Sequence, residues 1–134
     1  MPKRFEYAAS LDAEGGLLAG GEAPLAPDEP WTPEHLVLAG LMQCTLESLE
    51  FHAQRRNVAV RGGAAAEGVV SRRDEDGRYA FVEVECGLDV ELDPLPPGDE
   101  LVDLLDLAER DCFVGASLTP APRYEWRVNG EVVR

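Results

Sequence analysis

The chain contains three cysteines, Cys44, Cys86 and Cys112, and their spacing limits the thiol chemistry open to them. An odd number of thiols at long intervals does not make a disulfide framework, and no Cys-x-x-Cys pair suggests zinc or a thioredoxin-type motif. In a reducing compartment a bond between two of these thiols would be transient and catalytic rather than structural. A cysteine that acts as a nucleophile has to be a thiolate, and burial in an apolar helix raises a thiol's pKa, so a cation must be brought to it by tertiary or quaternary contact. An arginine would serve, by charge and by hydrogen bonding. The two histidines, His35 and His52, are 17 residues apart with no metal-ligand spacing, and Glu47 and Glu50 beside His52 complete no zinc motif. They read as solvated or capping residues, and neither a metal nor a cofactor is expected. The Gly15-Gly16 and Gly20-Gly21 pairs read as turn glycines rather than a phosphate loop.

Two helices and a set of strands must position these thiols. Thr32 suits an N-cap, Pro33 the first helical position, and Trp31 and Leu36 the two sides of a hydrophobic staple. The helix so begun is predicted to run to Arg55 or Arg56. Its middle, Leu36 to Leu46, is apolar on every side, as in a buried central helix, and it carries Cys44. Before it, Phe5 to Leu11 and Leu17 to Leu25 read as strands joined by a turn at Ala13-Glu14-Gly15-Gly16. After it, Val58 to Arg61 and Ala65 to Arg72 read as one bent strand broken at Gly62-Gly63, with Asp76-Gly77 as a hairpin turn. In the strand from Val82 to Leu92, the residues Val82, Val84, Cys86, Leu88, Val90 and Leu92 share one face, and Glu83, Glu85, Asp89 and Glu91 the other. Cys86 therefore reads as core.

A break at Pro94-Leu95-Pro96-Pro97 leads to a second helix, Asp99 to Asp111. Leu101, Leu104, Leu105, Ala108 and Cys112 fall on its apolar face. A strand from Arg123 to Val128 and a turn at Asn129-Gly130 close the chain. The fold class is α+β in a single domain spanning residues 1–134, with a long buried central helix, a second amphipathic helix and antiparallel sheets.

With 134 residues and 45% hydrophobic content, the chain can bury a core without disulfides or a structural metal. It has no long uncharged apolar stretch and no signal-like amino terminus, so no membrane span and a cytoplasmic location are expected. A formal net charge of −14 without a basic stripe makes nucleic acid an unfavourable partner.

Two segments carry a family resemblance. Pro33 to Cys44 resembles the OsmC/Ohr signature, in which a Pro-Glu helix start precedes a buried cysteine by ten residues. Ala108 to Leu118, with Cys112 near its centre, resembles that family's second cysteine motif. The two cysteines stand 68 residues apart, with the expected elements between them. The resemblance implies an intertwined homodimer that reduces hydroperoxides, particularly organic ones, at sites on the dimer interface. It assigns Cys44 as the peroxidatic thiolate and Cys112 as the resolving thiol. It also implies a dithiol reductant, lipoyl in the better-studied branch of the family, and a stress-response role. Glu34 matches the family glutamate that holds an essential arginine against the first cysteine. That arginine usually comes from the amino-terminal strands, but Leu11 to Pro30 contains neither Arg nor Lys, which leaves Arg4 and Arg110 as donors.

Ten residues of unbroken helix span about 15 Å, so Glu34 reaches Cys44 only if the helix breaks, at Gly40 for instance, or if it acts on a partner's site. Its simpler role is a carboxylate at the positive helix end. Two other functional classes remain open from sequence. One is an OsmC-like small-molecule-binding or stress-associated dimer without peroxidase activity, in which Cys44 and Cys112 are small core residues. The other is a hot-dog-type thioesterase with Glu34 as base, against which the second helix and its terminal cysteine weigh.

Overall fold

The computed structural model describes residues 2–13, 17–19 and 32–134. In chain order the elements are β1 (Phe5–Leu11), β2 (Leu17–Ala19), α1 (Pro33–Gln54), β3 (Ala59–Arg72), β4 (Tyr79–Asp93), α2 (Gly98–Arg110), α3 (Phe113–Ser117), β5 (Arg123–Val128) and β6 (Glu131–Val132). The expected turn at Ala13 to Gly16, the continuation of the second strand to Leu25 and the Trp31 side of the staple lie wholly or partly outside the described residues.

The α+β class holds. All strands join one sheet in the order β2-β1-β3-β4-β5-β6. Every neighbouring pair is antiparallel, as expected, except β4 and β5, which run parallel. Parallel neighbours need a crossover connection, and α2 with α3 supplies it over the face that also carries α1.

Helix α1 starts where its capping residues require. Thr32 is extended and its Oγ1 accepts a hydrogen bond from the His35 N–H at 3.3 Å. The helix ends at Gln54 with Arg55 as C-cap, and Asn57, in the left-handed region at φ 57°, turns the chain towards β3. One side of α1 enters the core through Leu38, Leu41, Met42, Thr45 and Leu49, all 0% exposed. The other side stays open in the single chain: Leu36 is 52% and Phe51 55% exposed. The expectation of burial all round is thus only half met within one subunit.

The long hairpin of β3 and β4 is continuous, without the break expected at Gly62-Gly63. The glycines are there for close approach. A Cβ on Gly62 would lie 2.2 Å from the Asp89 carbonyl oxygen, and one on Gly63 2.3 Å from that of Leu11. The irregularity lies further along. Val69 pairs with Glu83 and Val70 with Phe81, so Val82 is an extra residue in β4. This bulge takes Val82 out of the expected inward stripe and brings Phe81 onto the core, against Gly68. Beyond it the alternation is as expected, with Val84, Cys86, Leu88, Val90 and Leu92 buried. The turn at Asp76-Gly77 also forms: Gly77 has φ 72°, and Asp76 accepts from Arg73 at 2.7 Å.

Candidate functional site

Cys44 and Cys112 meet between α1 and α3. Cys44 lies midway along α1 and is partly exposed, whereas Cys112 is 0% exposed. The second thiol is placed differently from its expected position at the end of the α2 stripe. Helix α2 stops at Arg110 with Asp111 as C-cap, and Cys112 is the N-cap of α3, a five-residue helix. That helix is too short to show a hydrophobic period, so the sequence reading passed over it. Its one local sign is a cap in which the Cys112 sulfur accepts the Gly115 N–H at 3.4 Å.

The Cys44 thiol is close enough to Cys112 and to the backbone of Val114 and Phe113 to be influenced by them. Its pKa is raised, first by burial and further by Cys112, while the two amides oppose the shift. In the single chain, then, Cys44 is held towards its protonated form.

Around Cys112 the contacts are polar. The single hydroxyl proton of Thr45 is shared between the Leu41 carbonyl at 2.8 Å and the Cys112 sulfur at 3.3 Å. The Tyr124 side chain comes up from β5, and burial raises the pKa of its phenol. Thr45 stood out in sequence as a hydroxyl within an apolar run, and Tyr124 alternates with Trp126 on the inward face of β5. Neither was singled out, because only the tertiary packing directs them at a sulfur.

The structure leaves Glu34, Arg4 and Arg110 away from this pair. Helix α1 passes unbroken through Gly40, so Glu34 in its first turn stands about 15 Å along the same helix from Cys44. The interruption that would bring it closer does not occur. Arg4 is ion-paired with Glu6 at 3.2 Å and Glu83 at 3.3 Å. Arg110 is paired with Asp111 at 2.9 Å, its side chain 69% exposed. His52, expected to be solvated or capping, is instead only 13% exposed at its side chain, and its Nε2 sits 2.7 Å from Asp111 Oδ2. That link ties α1 to the residue preceding Cys112. His35 stays by its helix start, with Nδ1 2.7 Å from Thr32 Oγ1.

Cys86 is 1% exposed and registers opposite Tyr124 in the parallel pair. Burial pushes its thiol up to about 12, with smaller contributions from the charges of Cys112 and Glu109, so it is protonated and inert near neutral pH. Cys86→Val is expected to cost less than about 1.5 kcal/mol, because side-chain volume is nearly kept. Chemical denaturation checks the cost, and a folded variant that lost thiol reactivity at the other two cysteines would show the site to be wrongly drawn.

Among the described residues no group of three or more His, Cys, Asp or Glu side chains is arranged to hold a metal, and no helix is long and apolar enough to cross a membrane.

The family model for OsmC-like proteins matches residues 26–127. Solved structures share the fold at low identity. An OsmC-like protein of unknown function from Vibrio cholerae is 14% identical with a TM-score of 0.63, covering 94% of this chain and 99% of that one. An OsmC-like hydroperoxide resistance protein from Jannaschia is 18% identical with a TM-score of 0.61, covering 97% of each chain. The organic hydroperoxide resistance protein of Bacillus subtilis is 16% identical with a TM-score of 0.54, covering 96% of this chain and 98% of that one. A search of curated proteins finds no match.

Proposed function

Because the chain belongs to the OsmC-like protein family, we propose that it is a thiol-dependent hydroperoxide reductase, with Cys44 peroxidatic and Cys112 resolving. The observation that carries this reading is the placing of a partly exposed cysteine beside a fully buried one where α1 packs on α3. Cys44, being partly exposed, is the cysteine a peroxide would meet, and Cys112, shut from solvent, is left to react with its neighbour. In the reaction, the Cys44 thiolate attacks the terminal peroxide oxygen. The O–O bond breaks, the alcohol leaves with a proton, and Cys44 becomes a sulfenic acid. The Cys112 sulfur then displaces that hydroxyl as water, forming the Cys44–Cys112 disulfide. An external dithiol, lipoyl by family analogy, is oxidised to its own disulfide as it restores both thiols. Organic hydroperoxides are the proposed substrates, in keeping with the name of the Bacillus protein.

A homodimer belongs to this proposal. A second copy laid along α1 would cover Leu36 and Phe51, together with Phe113, which is 80% exposed beside Cys112. It would also give Glu34, and Arg4 or Arg110, a route to a neighbour's Cys44. Light scattering at micromolar concentration should give twice the 14.6 kDa chain mass; a monomer mass would exclude the shared site.

One observation favours a second reading, a small-molecule-binding or stress-associated protein without peroxidase activity. Burial keeps the Cys44 pKa high, and neither Arg4 nor Arg110 stands beside it within the chain. Peroxide consumption by the purified protein with a dithiol reductant separates the two. Turnover with an organic hydroperoxide supports the reductase, and its absence with both thiols still free supports the binding protein.

A further inference from the structure

Helix α1 holds the segment that carries Cys112 at two places. Thr45 Oγ1 lies 3.3 Å from the Cys112 sulfur, and seven residues further on, His52 Nε2 lies 2.7 Å from Asp111 Oδ2. Seven residues are close to two turns, so both contacts come from one side of α1, about 10 Å apart. Ser48, between them in the chain, has a buried hydroxyl without a hydrogen-bond partner, so it adds no third tie.

The segment so held has little of its own to fix it. Helix α2 stops at Arg110, Asp111 has left helical geometry at φ −96° and ψ 14°, and Cys112 is extended at φ −79° and ψ 106°. The Cys112 N–H reaches the Glu109 carbonyl only at 3.4 Å, longer than an ordinary bond. The contacts from Thr45 and from the Gly115 N–H both end on the Cys112 sulfur, the atom that changes partner when a disulfide forms. The His52–Asp111 bond ends on no reacting atom, so the reaction does not disturb it.

The chemistry of that bond is well defined. Arg110 foremost lowers the pKa of the Asp111 carboxyl and His52 adds to the effect, so Oδ2 is an acceptor and His52 Nε2 the donor. A neutral ring with its proton on Nε2 and a charged ring both make this bond. We propose that His52 is a positioning residue: through Asp111 it holds the junction of α2 and α3 against α1, and so keeps Cys112 beside Cys44. The inference rests on the two-thiol reading above and adds to it what fixes the second thiol. A junction held in this way raises the effective concentration of Cys112 at Cys44, because fewer chain arrangements are lost when the disulfide closes.

The test measures that effective concentration without peroxide. Full-length protein carrying Cys86→Val is equilibrated across ratios of oxidised to reduced glutathione, the couple exchanging two electrons and two protons with the Cys44–Cys112 pair, and the disulfide fraction is read by alkylation and mass. His52→Leu, which keeps bulk and removes the donor, should lower the equilibrium constant for the disulfide about tenfold, equal to about 30 mV in reduction potential. Asp111→Ala should lower it as much, and the double variant no further than either single one. His52→Gln, whose amide can donate to the same carboxylate, should restore most of it. By linkage, His52→Leu should lower the Tm of the oxidised protein more than that of the reduced one. A merely structural role would lower both alike and leave the constant unchanged. An unchanged constant in His52→Leu, or one that His52→Gln fails to restore, overturns the proposal. If circular dichroism shows His52→Leu to be unfolded, Asp111→Ala decides by the same constant. A parent that forms no Cys44–Cys112 disulfide at any ratio would refute the two-thiol reading and this inference with it. A parent that forms the disulfide, with the constant unchanged in the variants, would refute this inference alone.

Discussion

Cys44→Ser is expected to abolish peroxide turnover, whereas Cys112→Ser is expected to complete one stoichiometric reaction and stop. A serine hydroxyl at position 44 keeps the shape but supplies no nucleophile near neutral pH, and the only thiol left close by, Cys112, is shut away from solvent. With Cys112→Ser, Cys44 still meets peroxide, but its sulfenic acid has no partner thiol and persists long enough for a dimedone-type reagent to trap it. Non-reducing peptide mapping of the unmodified protein after one equivalent of organic hydroperoxide should find Cys44 joined to Cys112 within one subunit, and Cys86 free. The packing favours that pairing, since the two thiols are neighbours between α1 and α3, and a disulfide needs Cα atoms within about 7 Å. A map with both thiols free, or with Cys86 in the bridge, would exclude the assignment.

How far this site could be read from sequence depended on whether a residue's role was set locally. Thr32-Pro33 fixed the start of α1 because a cap and a first-turn proline act on the adjacent backbone. The stripe from Val84 to Leu92 was legible because a sheet with one buried face imposes a period of two, and the end strand Arg123–Val128 was placed with its bounds. The bulge at Val82 was not legible, since it depends on a register set by the opposing strand. Nor was the parallel pairing of β5, which follows from how α2 and α3 cross the sheet. At the site, the two cysteines stood out by type, but the residues that surround them did not. Thr45, His52 and Tyr124 become meaningful only when α1, the end of α2 and β5 converge on one sulfur. The reverse happened with Glu34 and the two arginines. A motif marked them, but an unbroken helix and nearby carboxylates hold them elsewhere within the chain.

The largest stability loss is expected at Trp126, whose side chain is 0% exposed in the middle of β5. Its indole N–H donates to Glu109 Oε2 at 2.8 Å, and the same oxygen accepts from Arg134 at 2.7 Å. Its backbone N–H and carbonyl both bond to the carboxyl-terminal segment, through Trp126 N–H to the Arg134 carbonyl and Val133 N–H to the Trp126 carbonyl, each at 2.8 Å. The ring also stacks on Tyr124, with centroids 6.5 Å apart and planes 20° from parallel. One side chain thus joins β5, the end of α2 and the residue that faces Cys112. Trp126→Ala should cost about 3–5 kcal/mol, the usual range for emptying a buried aromatic site. For a chain of this length that is a fall in Tm of roughly 10–20 °C, measured at fixed protein concentration. Trp126→Phe separates packing from the polar link: it keeps most of the buried ring and loses the bond to Glu109, at about 1–2 kcal/mol. A Trp126→Ala protein that melts within a degree or two of the parent would show that β5 does not hold α2 in place through this residue.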